Sequence, residues 1–312
     1  MITFRYEDRD TPVHRTSAVV KLIWVVDVLT LSLIFDDPIY LVLLFAATLP
    51  VVYVGHIARE WFSVIRFVVF LAPMIVALNV AFNHNGSHVL YQAGVALPFL
   101  GTPTITLEAL VYGLMMSVRL LAILSAFAIL TFTVHPDDLM LLMLKLKVPY
   151  RSVLVTSMST RFLPTLIEDA RTITDVQRSR GLEVDRGNII QRIKNRVPIL
   201  VPLVANSLDR AVQIAEAMES RAFGSSKKRT FYRELELSRW DKAMALLMLT
   251  PLVLGLLGRL LFGLGTYRYY PSLEPITLEP MGAVALLVVL LVLNMLSIPQ
   301  SRLQSKQLLI TK

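Results

Sequence analysis

The sequence contains no cysteine. Disulfides, thiolate metal ligands and cysteine nucleophiles are thereby excluded. Charge is scarce too: 17% of the 312 residues are Asp, Glu, Lys or Arg, against about 25% in soluble domains. No Gly-x-x-x-x-Gly-Lys-Ser/Thr stretch occurs, so the chain has no P-loop for the phosphates of ATP. His-Glu-x-x-His and Gly-x-Ser-x-Gly are also missing, which leaves a membrane protease or esterase unsupported. No small-residue cleavage site follows the first apolar run, so no cleavable signal peptide is expected.

What is present is apolar. Residues of that kind make up 55% of the chain, and long runs rather than one large soluble core account for them. The chain reads as an integral membrane protein of the all-α class, polytopic, with about six spans. These are expected at Ser17–Phe35, Pro38–Val54, Phe67–Phe82, Leu107–Val134, Ala243–Phe262 and Met281–Ile298. Between the first two, Phe35-Asp-Asp-Pro38 reads as a tight acidic turn. Gly55–Arg66 reads as a loop, with Trp61 suited to the membrane interface. Three regions follow: 1–135 with the first four spans, 136–240 outside the lipid, and 241–312 with the last two spans and a tail.

The net charge of +8 is not spread evenly. Lys145 to Arg239 holds 18 Lys and Arg against 10 Asp and Glu, a surplus equal to that of the whole chain. In a membrane protein such a surplus marks a cytoplasmic region. No nucleic-acid motif accompanies it, so no nucleic-acid partner is expected. Placing the N-terminus in the cytoplasm puts every loop rich in Lys or Arg inside. The loop Asn83–Thr104, with no Lys or Arg, then falls outside. This distribution predicts a multi-pass protein of a prokaryotic inner (plasma) membrane, in contact with the bilayer.

The central region carries three helix-forming segments. Asp137–Lys147 is rich in Leu and Met, with Leu139, Leu142 and Met143 exposed to lipid or to a partner. Phe162, Leu166, Ala170 and Ile173 recur at helical spacing in the second segment. Val204, Leu208, Ala211, Ala215 and Met218 do so in the third. The latter two read as surface helices, neither long nor apolar enough to span. The alternative is that their stripes merely pack one helix on the other. Each ends alike, in Ser179-Arg180-Gly181 and Ser220-Arg221-Ala222. An arginine followed by a small residue suits a plain helix C-terminus. It equally suits a five-donor fork docking into a partner whose backbone approaches closely.

These residues carry a resemblance. Leu110-Val-Tyr-Gly-Leu-Met-Met-Ser-Val-Arg119-Leu-Leu and Arg161-Phe-Leu-Pro-Thr-Leu are similar to stretches in the transmembrane T components of energy-coupling factor (ECF) transporters. So are Gln177-Arg-Ser-Arg-Gly-Leu182 and Glu216-Ala-Met-Glu-Ser-Arg-Ala-Phe-Gly224. That family includes the membrane subunit of cobalt and nickel uptake systems. The resemblance runs from about Thr11 to Arg229 and is strongest over Leu107–Gly224. It implies that Arg180 and Arg221 end coupling helices inserted into two ABC-type ATPases, which bind ATP and Mg while this chain binds no cofactor. It implies a small membrane subunit that binds a vitamin or a transition-metal ion. The contact with that subunit is assigned to Leu139, Leu142 and Met143 and to the Val204–Met218 stripe. The family has Ala-Arg-Gly at both sites. Here Ser179 and Ser220 replace alanine, and Ala222 replaces the second glycine, which requires that no positive φ is needed there. Gly224 is then the residue expected to make the turn.

Other polar residues complete the reading. Asp27 and Arg119 lie deepest in the expected spans, and their pairing is one hypothesis for how the first span is fixed against the fourth. A proton or ion path is the functional alternative. His84 and His88 flank Gly86 in a loop and are expected to be solvated, with no metal site. Lys227-Lys-Arg229 reads as a basic patch near anionic head groups. Two rival functions remain at this point: a membrane-embedded enzyme, which needs convergent catalytic groups, and a conventional ABC permease, which needs several polar residues facing a path.

Overall fold

A computed structural model describes residues 9, 11–83, 86–92, 104–182, 188–225, 238–275 and 280–297. His84, the Lys227–Arg229 patch and the basic tail lie outside the described residues. The chain forms two compact units, Met1–Leu139 with Glu236–Lys312, and Met140–Leu235. The first unit begins with helix α1 (Pro12–Arg15), α2 (Ala18–Ile34), α3 (Pro38–Val54) and α4 (Ala58–Phe82). A short antiparallel ribbon follows, β1 (Val89–Gln92) with β2 (Thr104–Thr106), pairing Val89 with Thr106 and Gln92 with Thr104. Helix α5 (Leu107–Thr133) comes next, and α6 (Pro136–Lys145) runs from the first unit into the second. The second unit holds α7 (Tyr150–Ser179) and α8 (Ile189–Ser220). Helices α9 (Arg239–Phe262) and α10 (Pro280–Asn294) return to the first. The fold is all-α apart from the ribbon.

Local sequence explains the helix starts. Pro38 occupies the first turn of α3, where its missing N–H costs nothing, and the Asp37 carboxylate accepts from Ile39 N at 2.8 Å. Thr106 Oγ1 accepts from Ala109 N at 3.3 Å to open α5. Ser238 and Asp241 form a reciprocal capping box on α9, which Gly263 closes at φ 65°.

By length and composition α4, α5, α8, α9 and Pro280–Ser297 can cross a membrane. Helices α2 and α3, with 17 residues each, sit at the lower limit. In the first unit α2 is the most enclosed helix, packed on α5 and α9, with Val20, Trp24, Val28 and Leu31 fully buried. Helix α3 lies on α5 and α10, and α4 lies along α5.

Two expectations need correction here. The third span starts at Ala58, nine residues before Phe67, so Arg59, Glu60 and Arg66 belong to the helix. Charged residues do not end a helix whose first turns lie where water reaches them; only Gly55–Ile57 remains as a turn. Trp61, half-buried, has a partner within the unit. Its indole N–H donates to Ser125 Oγ at 2.8 Å, and that hydroxyl donates to Thr48 Oγ1 at 2.8 Å, linking α4, α5 and α3. The second correction concerns α8. It begins at Ile189, runs through Pro198 and Pro202, and is long and apolar enough to cross a membrane.

Helix ends in the first unit segregate into two groups, as alternating spans require. At one group Arg9 pairs with Glu60 at 2.6 Å, and buried Lys21 donates to Thr133 O at 2.7 Å. There Trp24 donates to Leu293 O at 3.0 Å, so α2 fastens the last turns of both α5 and α10. At the other group the α2–α3 turn meets the end of α9 and the loop after it.

Helices α4 and α5 approach closely at Gly113. A Cβ there would stand 2.9 Å from Val76 Cα, a backbone atom that cannot swing aside. Gly113→Leu is expected to push the two helices apart and cost about 2 kcal/mol or more. Thermal unfolding of the detergent-solubilised protein checks this; an unchanged midpoint would show that the two helices tolerate separation.

Candidate functional site: two matched helix ends

The ends of α7 and α8 are built from the same bonds, shifted by 41 residues. Gly181 N donates to Arg178 O at 2.9 Å, and Ala222 N donates to Glu219 O at 2.8 Å. Leu182 N reaches back to Gln177 O at 3.0 Å, and Phe223 N to Met218 O at 2.9 Å. Each pair satisfies carbonyls that a helix end leaves open and turns the chain sharply through one left-handed residue. Those residues are Gly181 at φ 88° and Ala222 at φ 54°.

The expectation that Ala222 needs no positive φ is therefore wrong. Ala222 itself takes the left-handed conformation, and Gly224 at φ 95° adds a second such residue rather than replacing it. A Cβ in that region crowds the carbonyl, at a cost of roughly 1 kcal/mol. Ala222→Gly is expected to recover about that amount. Slower amide exchange at Met218–Phe223 would report it; faster exchange would mean that the extra chain entropy of glycine dominates.

Ser179 and Ser220 fit because their hydroxyls turn back onto their own helices. Ser179 Oγ donates to Asp175 O at 3.0 Å and Ser220 Oγ to Ala217 O at 3.1 Å. Arg180 and Arg221 are both exposed, and among the described residues neither side chain has a hydrogen-bond or ionic partner. Two five-donor forks therefore project, uncommitted, from equivalent positions.

The apolar stripe of α8 is not used to pack α7. Val204 is 54% and Leu208 62% exposed, Ala211 and Ala215 are exposed, and Met218 is half-buried. Ile190, Ile193, Val197 and Val201 extend the same stripe toward the start of the helix, also exposed. The other face of α8 carries Ile199, Leu203, Arg210 and Ile214, half-buried, and Arg210 Nη2 binds Asp169 of α7 at 3.0 Å. Val204, Leu208, Ala211 and Ala215 therefore make little contact with α7, while Met218 is half-buried. On α6, Leu139 is half-buried, Leu142 buried and Met143 exposed. Of those three, Met143 is the most open, at 44% exposed.

The Asp27–Arg119 pair does not form. Arg119 Nη2 binds Asp36 Oδ1 at 2.9 Å and Phe35 O at 2.8 Å. Asp27 is 1% exposed, and neither carboxylate oxygen has a partner among the described residues. The reason is register. Helices α2 and α5 run antiparallel, with Lys21 level with Thr133 and Phe35 level with Arg119. Asp27 then lies opposite position 127, eight residues and about 12 Å from Arg119.

Sequence reading missed the cluster that holds Arg119. Asp36 also binds Arg259 Nη2 of α9 through Oδ2 at 3.0 Å, and its carbonyl accepts from Tyr269 Oη at 2.6 Å. Burial pushes the Tyr269 phenol above its ordinary range, so it stays a donor. Burial likewise raises Asp37, which its bonds to the Ile39 and Tyr40 amides oppose. His88 is not simply solvated either. Its Nδ1 lies 2.8 Å from Oε1 of fully buried Glu108, which also accepts from Ser87 Oγ and His88 N, each at 3.0 Å. Nothing in the spacing of either set signals the contact, since its members are far apart in sequence. Among the described residues no three His, Asp or Glu side chains gather as metal ligands.

The comparisons with known proteins fit this geometry. The family profile described as cobalt transport protein (CbiQ) matches residues 9–232, which include both helix ends. The energy-coupling factor transporter transmembrane protein EcfT of Streptococcus thermophilus is 32% identical over 266 residues, 82% of this chain and 97% of its own. The EcfT of Bacillus selenitireducens is 32% identical over 244 residues, covering 75% and 88%. That of Staphylococcus aureus is 30% identical over 269 residues, covering 81% and 95%. A polytopic helical unit, paired helix ends and matches along most of the sequence lead to one conclusion: the chain belongs to the CbiQ family of energy-coupling factor transporter transmembrane proteins, as a transport component and not an enzyme.

Proposed function

We propose that this chain passes the ATP-driven motion of two cytoplasmic ABC ATPases to a small membrane subunit that binds the substrate. One observation carries the reading: α7 and α8 end in the same bonded turn, each presenting an uncommitted arginine. Two equivalent forks suit two equivalent carboxylate-lined grooves, one on each ATPase. The exposed apolar stripe of α8, with Met143 of α6, suits a membrane subunit. Such a stripe left open to water would be an aggregation hazard. Asp209 and Arg210 midway along α8 argue that it lies along the lipid surface rather than crossing. The basic central region supports a cytoplasmic position for that surface and for the N-terminus, at a prokaryotic plasma membrane. A vitamin or a transition-metal ion is the transported class; specificity resides in the companion subunit.

The test is affinity purification of the tagged chain, in mild detergent, from its native membranes. ABC ATPases and one small polytopic protein are expected with it, and the latter's ligand names the substrate. Recovery of the chain without any ATPase would sink the reading.

A further inference from the structure

Resting on that reading, we infer that the Asp169–Arg210 ion pair is the pivot that positions the two coupling arginines. The pair joins α7 to α8 at 3.0 Å, with both side chains about two-thirds buried. Asp169 stands 11 residues before Arg180, and Arg210 stands 11 residues before Arg221. At 1.5 Å per residue each arm extends about 16 Å from the pivot to its arginine. The two arms are equal, so a change in the angle at which the helices cross moves both tips by the same amount.

The arms are also built to be stiff. All three prolines of these helices precede the pivot: Pro164 on α7, and Pro198 and Pro202 on α8. Beyond it both helices run unbroken to their matched ends, with no proline to remove a backbone bond. No residue of either arm is fully buried; Ile173, Thr174 and Gln177 of α7 and Ile214 and Met218 of α8 are half-buried, so packing along the arms is light. The fixed point is the ion pair, which lets the arms rotate without sliding. A slide by one turn of either helix would carry its arginine about 5 Å along the axis and misalign it with its partner.

The absence of native cysteine makes the test clean. Spin labels on Ser179→Cys and Ser220→Cys report the distance between the tips in the full chain in lipid nanodiscs. One dominant distance is expected with the pair intact. Asp169→Ala and Arg210→Ala should each broaden or shift it, and the exchanged pair Asp169→Arg with Arg210→Asp should restore it. In the complex, substrate moved per ATP should fall about fivefold in either alanine variant while the ATPases still co-purify. Unchanged distances in both alanine variants overturn the pivot. Altered distances with unchanged transport per ATP overturn the positioning role and leave only a structural pair. If no ATPase accompanies the wild-type chain, the coupling reading falls, and the label distances still decide the pivot by themselves.

Discussion

Replacing Asp36 by alanine is expected to be the most destabilising single substitution in the polar clusters of the first unit. Its two carboxylate oxygens hold Arg119 of α5 and Arg259 of α9, and its backbone anchors the loop after α9 through Tyr269 and Gly265. Truncation leaves two guanidinium groups without their counterion, and Arg119 Nε and Arg259 Nη1 already lack partners among the described residues. Breaking one side of a buried ion pair costs about 3–5 kcal/mol. Asp36 is roughly one-third exposed, so water recovers part of that cost and about 2 kcal/mol is expected. Asp36→Asn keeps the acceptor oxygen and should cost less. The thermal midpoint of the purified chain should drop by several degrees for alanine and by less for asparagine. Midpoints within a degree of wild type for both would show that the cluster is decorative. Asp37→Ala is a useful contrast, because that side chain only caps α3 and should lose about 1 kcal/mol.

The Asp36 cluster shows where sequence ends as a guide. Apolar runs located helices α2, α3, α4, α5, α9 and α10, because the physics there is local: a helix in lipid must satisfy its own backbone and expose apolar side chains. Helix starts were less legible. The Val204–Met218 stripe located the third central helix but not its start, which lies at Ile189, with Pro198 and Pro202 inside the helix. Both rings fall on one face, four residues apart, and each removes a single backbone bond from a helix long enough to absorb the loss. Pairings across helices were not legible. Asp27 and Arg119 looked matched because both interrupt a span, but depth depends on where each helix begins. Helix α5 has 27 residues and α2 has 17, so the middle of one lies level with the end of the other. The helix ends were legible as a repeated pattern, but the conformation of Ala222 was not. Alanine gives no sign of a positive φ; only the equivalence with Gly181, bond for bond, reveals it.

On the proposed function, reversing the charges of Arg180 and Arg221 is expected to have the largest functional effect. In Arg180→Glu with Arg221→Glu, each fork that would meet a carboxylate becomes a carboxylate itself. Losing one partner of a desolvated charge pair at an interface costs about 2–5 kcal/mol. Two kcal/mol per arginine is about thirtyfold in affinity for each ATPase, and repulsion adds to it. Recovery of the ATPases with the tagged chain should fall by at least that factor, and ATP-dependent transport should vanish with it. The single reversals separate the arms: each should weaken one attachment while the other remains, leaving partial recovery. Arg→Lys at both positions keeps the charge but not the bidentate fork, and an intermediate loss is expected. The chain itself should be unaffected, because both side chains are exposed and make no internal bond among the described residues. Its thermal midpoint therefore serves as the internal control. ATPase recovery equal to wild type in the double reversal would make the two arginines ordinary helix ends and move the coupling contact elsewhere. Normal recovery with lost transport would keep the contact and assign the arginines to the transmission of motion across it.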